Sequence, residues 1–203
     1  MRQIPALLLV WSVFAVAGCG DKGPDMSPIA PPSYDAESMA KSAIVQLDKN
    51  VNGTIEGVEL DACPGLKATL ASADTNKDNK LSAEELKTRF EGYRGAGAVA
   101  YTIKVTLDGN PLPDATVTLT PELFMSGAVA ETSGRTDPDG TVTKYTVEKR
   151  ELPGVAPGIY RVAVTKDGVT LPAKYNSQTT LGCEVGGGAR GSSWTLDVKM
   201  TSK

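Results

Sequence analysis

Two periodicities divide the chain. From Ser33 apolar residues recur at helical spacing, with Ala36, Met39/Ala40, Ala43/Ile44 and Leu47 on one stripe and Ser33 or Asp35 placed to cap it. A short helix with Val58 and Leu60 inward comes next and must stop near Cys63, because Pro64-Gly65 follows. Leu66 to Ala73 continues the helical pattern, and Leu86 and Phe90 mark the inner face of a last helix that opens on the capping box Ser82-Ala-Glu-Glu85 and ends around Gly92. Beyond Arg94-Gly-Ala-Gly-Ala98 the period drops to two: Val99, Tyr101, Ile103, Val105 and Leu107 alternate with polar or small residues. Asp108-Gly-Asn-Pro turns the chain into a strand carrying Ala115, Val117 and Leu119. A polar excursion over 121–135 and the turn Thr136-Asp-Pro-Asp-Gly140 precede a Thr/Val-rich strand to about Val147. Tyr160, Val162 and Val164, then Leu181, Cys183 and Val185, then Trp194, Leu196 and Val198 give three further alternating stretches. This pattern predicts a multidomain chain: an all-α part over 34–93, a linker over 94–98 and an all-β antiparallel sandwich over 99–203.

The joints between the predicted helices carry the chemistry. Asp48 to Glu59 and Asp74 to Glu85 each read as a calcium loop, in which alternate side chains converge on a hard cation while the backbone turns sharply. In the first, Asp48, Asn50 and Asn52 stand at positions 1, 3 and 5, Gly53 at 6, Thr54 offers its carbonyl at 7, Glu56 stands at 9 and Glu59 closes at 12. In the second, Asp74, Asn76 and Asp78 occupy 1, 3 and 5, Lys80 gives its carbonyl at 7, Ser82 stands at 9 and Glu85 at 12. Its departure is Asn79 at position 6; asparagine enters the left-handed region more readily than other non-glycine residues, so the turn is expected to survive. Ile55 and Leu81 at position 8 are the residues that face each other across a paired set of such loops, an EF-hand pair. Two Ca²⁺ sites are therefore expected, with no loop ligand in the β part, so that loop substitutions should leave the strands indifferent.

The first residues do not belong to the fold. Arg2, the apolar run Leu7-Leu8-Leu9-Val10-Trp11 and Val16-Ala17-Gly18 before Cys19 have the organisation of a signal peptide over 1–18, too short in its apolar run for a membrane span. The small-residue pair directly before cysteine resembles a bacterial lipobox, which implies lipidation of Cys19 and anchorage on a membrane by acyl chains. Residues 20–33 hold four prolines and little apolar matter, and read as a flexible tether.

Charge and composition then exclude several chemistries. The chain has 21 Lys+Arg against 24 Asp+Glu; loss of residues 1–18 removes Arg2 and leaves a formal −4, which two Ca²⁺ would neutralise. Basic residues are scattered rather than clustered, which argues against a nucleic-acid partner. Histidine is absent, so Ser-His-Asp and Cys-His catalysis and histidine-ligated metals are excluded.

Three segments carry a resemblance. Gly109-Asn-Pro-Leu-Pro-Asp-Ala-Thr-Val-Thr-Leu119, Gly134-Arg-Thr-Asp-Pro-Asp-Gly140 and Leu152-Pro-Gly-Val-Ala-Pro-Gly-Ile-Tyr-Arg-Val162 resemble the carboxypeptidase-regulatory-like, transthyretin (prealbumin)-like sandwich domains of bacterial surface proteins. With the lipobox and the loop pair, the whole chain is similar to secreted bacterial EF-hand lipoproteins. The resemblance implies a non-catalytic sandwich, localisation at the cell envelope with a lipid anchor facing an extracytoplasmic space, and a protein or glycan partner for the sandwich.

Some residues stay open at this stage. Asp137 and Asp139 flank Pro138 and are best read as turn chemistry, with a third cation site as the alternative. A carboxylate-based hydrolase would need pairs such as Asp197 or Glu184 with Asp167, whose placement is scattered. Tyr145, Tyr175 and Trp194 are the aromatic candidates for a glycan surface, Trp194 fitting a core role better, and Lys174-Tyr175-Asn176 is the loop stretch to inspect for a partner. Cys63 and Cys183 either form a disulfide between the two parts or remain two separate buried thiols, the second being favoured because free cysteine behaves as a small core residue.

Overall fold

Asp35 opens the first helix by accepting a hydrogen bond from the Ser38 N–H at 3.1 Å, and α1 then runs Ala36–Leu47 with Ala36, Met39, Ala40 and Ala43 buried. The computed structural model describes residues 32–186 and 194–203. The expected signal segment 1–18, Cys19 and the tether up to residue 31 lie outside the described residues. Short strand β1 (Thr54–Glu56) leads to the one-turn helix α2 (Val58–Asp61), and α3 (Pro64–Ala73) begins on a proline whose missing N–H costs nothing there. Strand β2 (Lys80–Ser82) leads into α4 (Ala83–Glu91), where Ser82 and Glu85 complete the capping box. Leu60 is inward as expected, but Val58 is 81% exposed. Residues two apart in a helix lie about 200° around its axis, so Val58 and Leu60 of α2 cannot both face inward.

The remainder is mostly β. One sheet has the order β11-β10-β5-β6-β8-β9, formed by Leu181–Val185, Gly158–Thr165, Thr116–Pro121, Thr132–Arg135, Tyr145–Val147 and Arg150–Leu152. The other has the order β12-β3-β4, formed by Trp194–Met200, Tyr101–Leu107 and Asn110–Pro111, with β7 (Thr141–Val142) also on β3. The first sheet is antiparallel throughout its pairings. The second corrects the all-antiparallel expectation, because β12 runs parallel to β3 with Trp194 opposite Tyr101 and Met200 opposite Leu107. Alternation reports which side chains share a face and is silent on strand direction. Residues 121–135, expected as a polar excursion, contain a 3-10 turn (Leu123–Met125) that buries Phe124 and Met125, and then β6.

The two parts share one buried cluster, and the described residues fall within a single compact unit. Neighbouring residues of β11 show how this arises. Cys183 is buried toward Tyr101 of the four-stranded sheet, whereas Glu184 turns the other way and meets the helices. The start of α3 lies directly on β10 and β11. A Cβ built on Gly182 would stand 2.2 Å from the carbonyl carbon of Pro64, so only glycine permits this approach. A ladder of rings, Tyr34–Tyr93 at 5.7 Å, Phe90–Tyr93 at 6.0 Å and Phe90–Phe124 at 5.8 Å, continues the contact from the helices to the 3-10 turn. Polar groups close it: Tyr34 donates to the Pro157 carbonyl at 2.5 Å, and buried Glu122 accepts from Arg161 Nε at 2.9 Å and the Gly65 N–H at 3.2 Å.

Candidate metal centre

The two loops are built on one hydrogen-bonding plan. In the first, Asp48 Oδ1 accepts from the Asn52 N–H at 3.1 Å and Oδ2 from the Gly53 N–H at 2.8 Å. In the second, Asp74 Oδ1 accepts from the Asp78 N–H at 3.2 Å and Oδ2 from the Asn79 N–H at 2.8 Å. The position-3 side chains repeat the match: Asn50 Oδ1 accepts from the Asn52 N–H at 3.1 Å and Asn76 Oδ1 from the Asp78 N–H at 2.9 Å. So do the position-5 side chains, Asn52 Oδ1 and Asp78 Oδ1, each accepting from the N–H at position 7 at 2.9 Å. These short Asx bonds curl the backbone so that the side-chain oxygens of positions 1, 3 and 5 lie along the inside of the turn.

Position 12 closes both loops in the same way. Glu59 Oε1 accepts from the Lys49 N–H at 2.7 Å and Oε2 from the Glu56 N–H at 3.0 Å. Glu85 Oε1 accepts from the Thr75 N–H and Oε2 from the Ser82 N–H, both at 3.0 Å. Both glutamates are buried, at 4% and 9% exposure. A carboxylate has about four acceptor positions: Glu59 also accepts from the Asn50 N–H at 3.2 Å, which leaves one, whereas the Thr75 and Ser82 hydroxyls at 3.1 and 2.8 Å occupy the other two on Glu85 and would have to turn aside for an ion. Burial pushes the Glu85 carboxyl up, but hydrogen bonds from Ser82 and Thr75 outweigh it and hold the group below its ordinary value.

Backbone conformation agrees with the plan. Positions 4 and 6 are left-handed in both loops: Val51 at φ 58° and Gly53 at 84°, Lys77 and Asn79 both at 61°. Asn79 thus adopts the conformation expected of it without glycine. Val51, exposed and β-branched, is the strained member of the four. Strands β1 and β2 pair antiparallel with Ile55 opposite Leu81, Thr54 opposite Ser82 and Glu56 opposite Lys80. The last of these pairs also joins side chains, since the Lys80 ammonium bonds the Glu56 carboxylate and holds it below its ordinary value. Asn52 Nδ2 donates to the same Glu56 at 2.8 Å.

The donor set consists of carboxylates, amides, hydroxyls and peptide carbonyls, which is the chemistry of a hard cation such as Ca²⁺. Among the described residues no three carboxylate or thiol side chains stand together as a ready-made metal cluster. Across its ligand positions each loop instead spaces three acids among asparagine, hydroxyl and main-chain oxygen. Cys19, expected to carry lipid, lies outside the described residues.

The remaining candidates fall as follows. Asp137 Oδ1 accepts the N–H groups of Asp139 and Thr141, both at 2.9 Å, which is turn chemistry. Tyr145 and Tyr175, candidates for an aromatic glycan surface, are buried, and Trp194 is half-buried against the core. Both tyrosines interrupt polar surroundings in sequence, which hid the neighbours that cover them. Cys63 and Cys183 are free and buried, and burial pushes both thiols up to about 12. Asp167 and Asp197 are exposed, on a turn after β10 and on β12. Glu184 lies on β11 and is fully engaged: Arg89 Nε at 2.5 Å, Arg89 Nη2 at 2.6 Å, Tyr93 Oη at 2.5 Å and Ser72 Oγ at 3.0 Å all donate to it. Sequence reasoning did not find this network. Its only trace is the helical spacing of Arg89 and Tyr93, which gives no hint that a strand residue more than ninety positions away completes it.

No protein-family model matches the chain, and no curated protein matches it.

Proposed function

We propose that the protein is a calcium-binding envelope lipoprotein with a structural or binding role, in which an EF-hand pair is built onto a transthyretin-like β-sandwich. The observation that carries this reading is the matched pair of loops, each with a buried glutamate at position 12 held by the N–H groups of positions 2 and 9. Asp48, Asn50, Asn52, Thr54, Glu56 and Glu59 would hold one Ca²⁺; Asp74, Asn76, Asp78, Lys80 through its carbonyl, Ser82 and Glu85 the other. The ion supplies charge neutralisation and a fixed helix geometry. Binding is coupled to folding of the helical part, so stability rises with free Ca²⁺ by mass action.

The anchor is lipid on Cys19 and the partner a protein or glycan met by the sandwich at the cell envelope. Burial of Tyr145 and Tyr175 removes two aromatic platforms from a glycan-binding alternative. Engagement of Glu184 by four donor contacts supports a structural rather than a hydrolytic role for that residue. Calorimetry of the full chain with Ca²⁺, then chelator, then Mg²⁺ tests the metal. A rise in melting temperature with Ca²⁺ that Mg²⁺ at equal concentration does not match is expected; no shift, or an equal one with Mg²⁺, refutes the calcium assignment.

A further inference from the structure

Glu184 is held from both ends of the second loop. Ser72, the penultimate residue of α3, stands two positions before Asp74, while Arg89 stands four positions after Glu85 and Tyr93 four further on. One carboxylate on β11 accepts from all three, Ser72 sharing its one hydroxyl hydrogen with the Thr69 carbonyl at 2.9 Å, and its ion pair with Arg89 is almost dry, with side-chain exposures of 9% and 16%. Charge-assisted, two-pronged contacts of this kind tolerate little displacement. For Ser72 and the Arg89–Tyr93 pair to reach the same carboxylate, the end of α3 and the last turn of α4, and through that rigid helix its start, must keep one separation. That separation is also the one set by the loop between them when its first and twelfth residues close on an ion.

We propose that Glu184 couples occupancy of the second loop to docking of the helices on the six-stranded sheet, so that Ca²⁺ binding stabilises β11 and the sheet edge in turn raises Ca²⁺ affinity. The coupling deepens the calcium reading of this loop and rests on it. It replaces the expectation that the strands are indifferent to the loops. The first loop is tied by weaker, exposed contacts: Arg161 Nη2 of β10 donates to the Ala62 carbonyl at the end of α2 at 2.8 Å, and Glu37 of α1 pairs with Lys87 of α4 at 2.9 Å. Close packing at Gly182, one residue pair along the same strand, leaves α3 no room to shift and makes the coupling rigid. By linkage the two effects have equal magnitude.

The test uses the full chain with Ca²⁺ alone as the probe. Glu184→Gln is expected to lower Ca²⁺ affinity about fivefold or more, the usual range of coupling between distinct sites, while Glu37→Gln leaves it unchanged. In the unaltered protein, Ca²⁺ is expected to slow amide hydrogen exchange in β11 and not in β9, the opposite edge of the same sheet. The exchange measurement needs no variant and decides the matter even where Glu184→Gln fails to fold. Wild-type binding with unchanged β11 exchange, or with the Glu184→Gln affinity equal to wild type, overturns the coupling while leaving the calcium sites standing. Absence of any Ca²⁺ binding by the wild type overturns the metal reading itself and the coupling with it.

Discussion

Ile55 and Leu81 stand directly opposite each other between the two loops, and both are completely buried. The peptide groups on either side of each belong to positions 7 and 9 of its loop, so neither loop can change shape without moving the other. Glu59→Gln is therefore expected to weaken both cation sites, and Glu85→Gln likewise, as read by Ca²⁺ titration of each variant. Leu81→Ala should cost about 2–5 kcal/mol of stability, as for other buried leucines, and should also lower affinity at both loops.

Val51 offers a gain of stability. A β-branched residue at φ 58° carries roughly 1–3 kcal/mol of backbone strain, and its exposed side chain has no packing to lose. Val51→Asn should raise the melting temperature of the metal-free chain, since asparagine tolerates this region. A fall on differential scanning would show that the valine serves a contact of its own.

Gly182→Ala should be among the most damaging single-methyl changes in the chain. The added Cβ meets the backbone of Pro64 and Gly65 at 2.2–2.3 Å, which no rotamer can relieve. A loss of about 1–3 kcal/mol is expected from overpacking, with faster exchange of the α3 amides as its signature. Gly109→Ala, at an open turn with φ 82°, serves as the comparison in which strain arises without a clash.

The buried thiols predict an alkaline dependence. In the folded chain both are pushed up to about 12, Cys63 by burial and then by nearby Glu122, Cys183 by burial. A free cysteine titrates near ~8.5. The folded value exceeds the unfolded one, so the contribution is fully present below about pH 8.5 and is lost as pH rises toward about 12, at roughly 1.4 kcal/mol per pH unit for each thiol. Denaturant unfolding between pH 7 and 10 should show this slope, and Cys183→Ala should flatten it. Alkylation at pH 8 should label neither thiol in the native state and both in denaturant.

The loops were legible in sequence because their geometry is local. Asp48 and Asp74 bond backbone groups four and five residues on, and a twelve-residue stretch holds all the information needed. The strands were legible where they alternate, as at Tyr101, Ile103 and Val105. What alternation cannot give is direction and partner. The parallel placement of β12, the burial of Phe124 within a polar stretch and the seating of Pro64 on Gly182 all depend on residues distant in the chain. The same holds for Glu184, whose sequence neighbours show an acid at the polar parity of a strand. Its role appears only once a helix covers that face.

The parallel pairing of β12 with β3 has a consequence for the order of assembly. Tyr101 leaves the ribosome long before Trp194, its partner, and until then this long flank of β3 presents unpaired N–H and C=O groups. The neighbouring α-helical segment, whose contacts are short in sequence, can form early; the four-stranded sheet waits for Trp194–Met200. Chains stopped before residue 194 would therefore expose a sticky, strand-length template to one another, and self-association of nascent or clipped molecules along β3 is the hazard this topology carries.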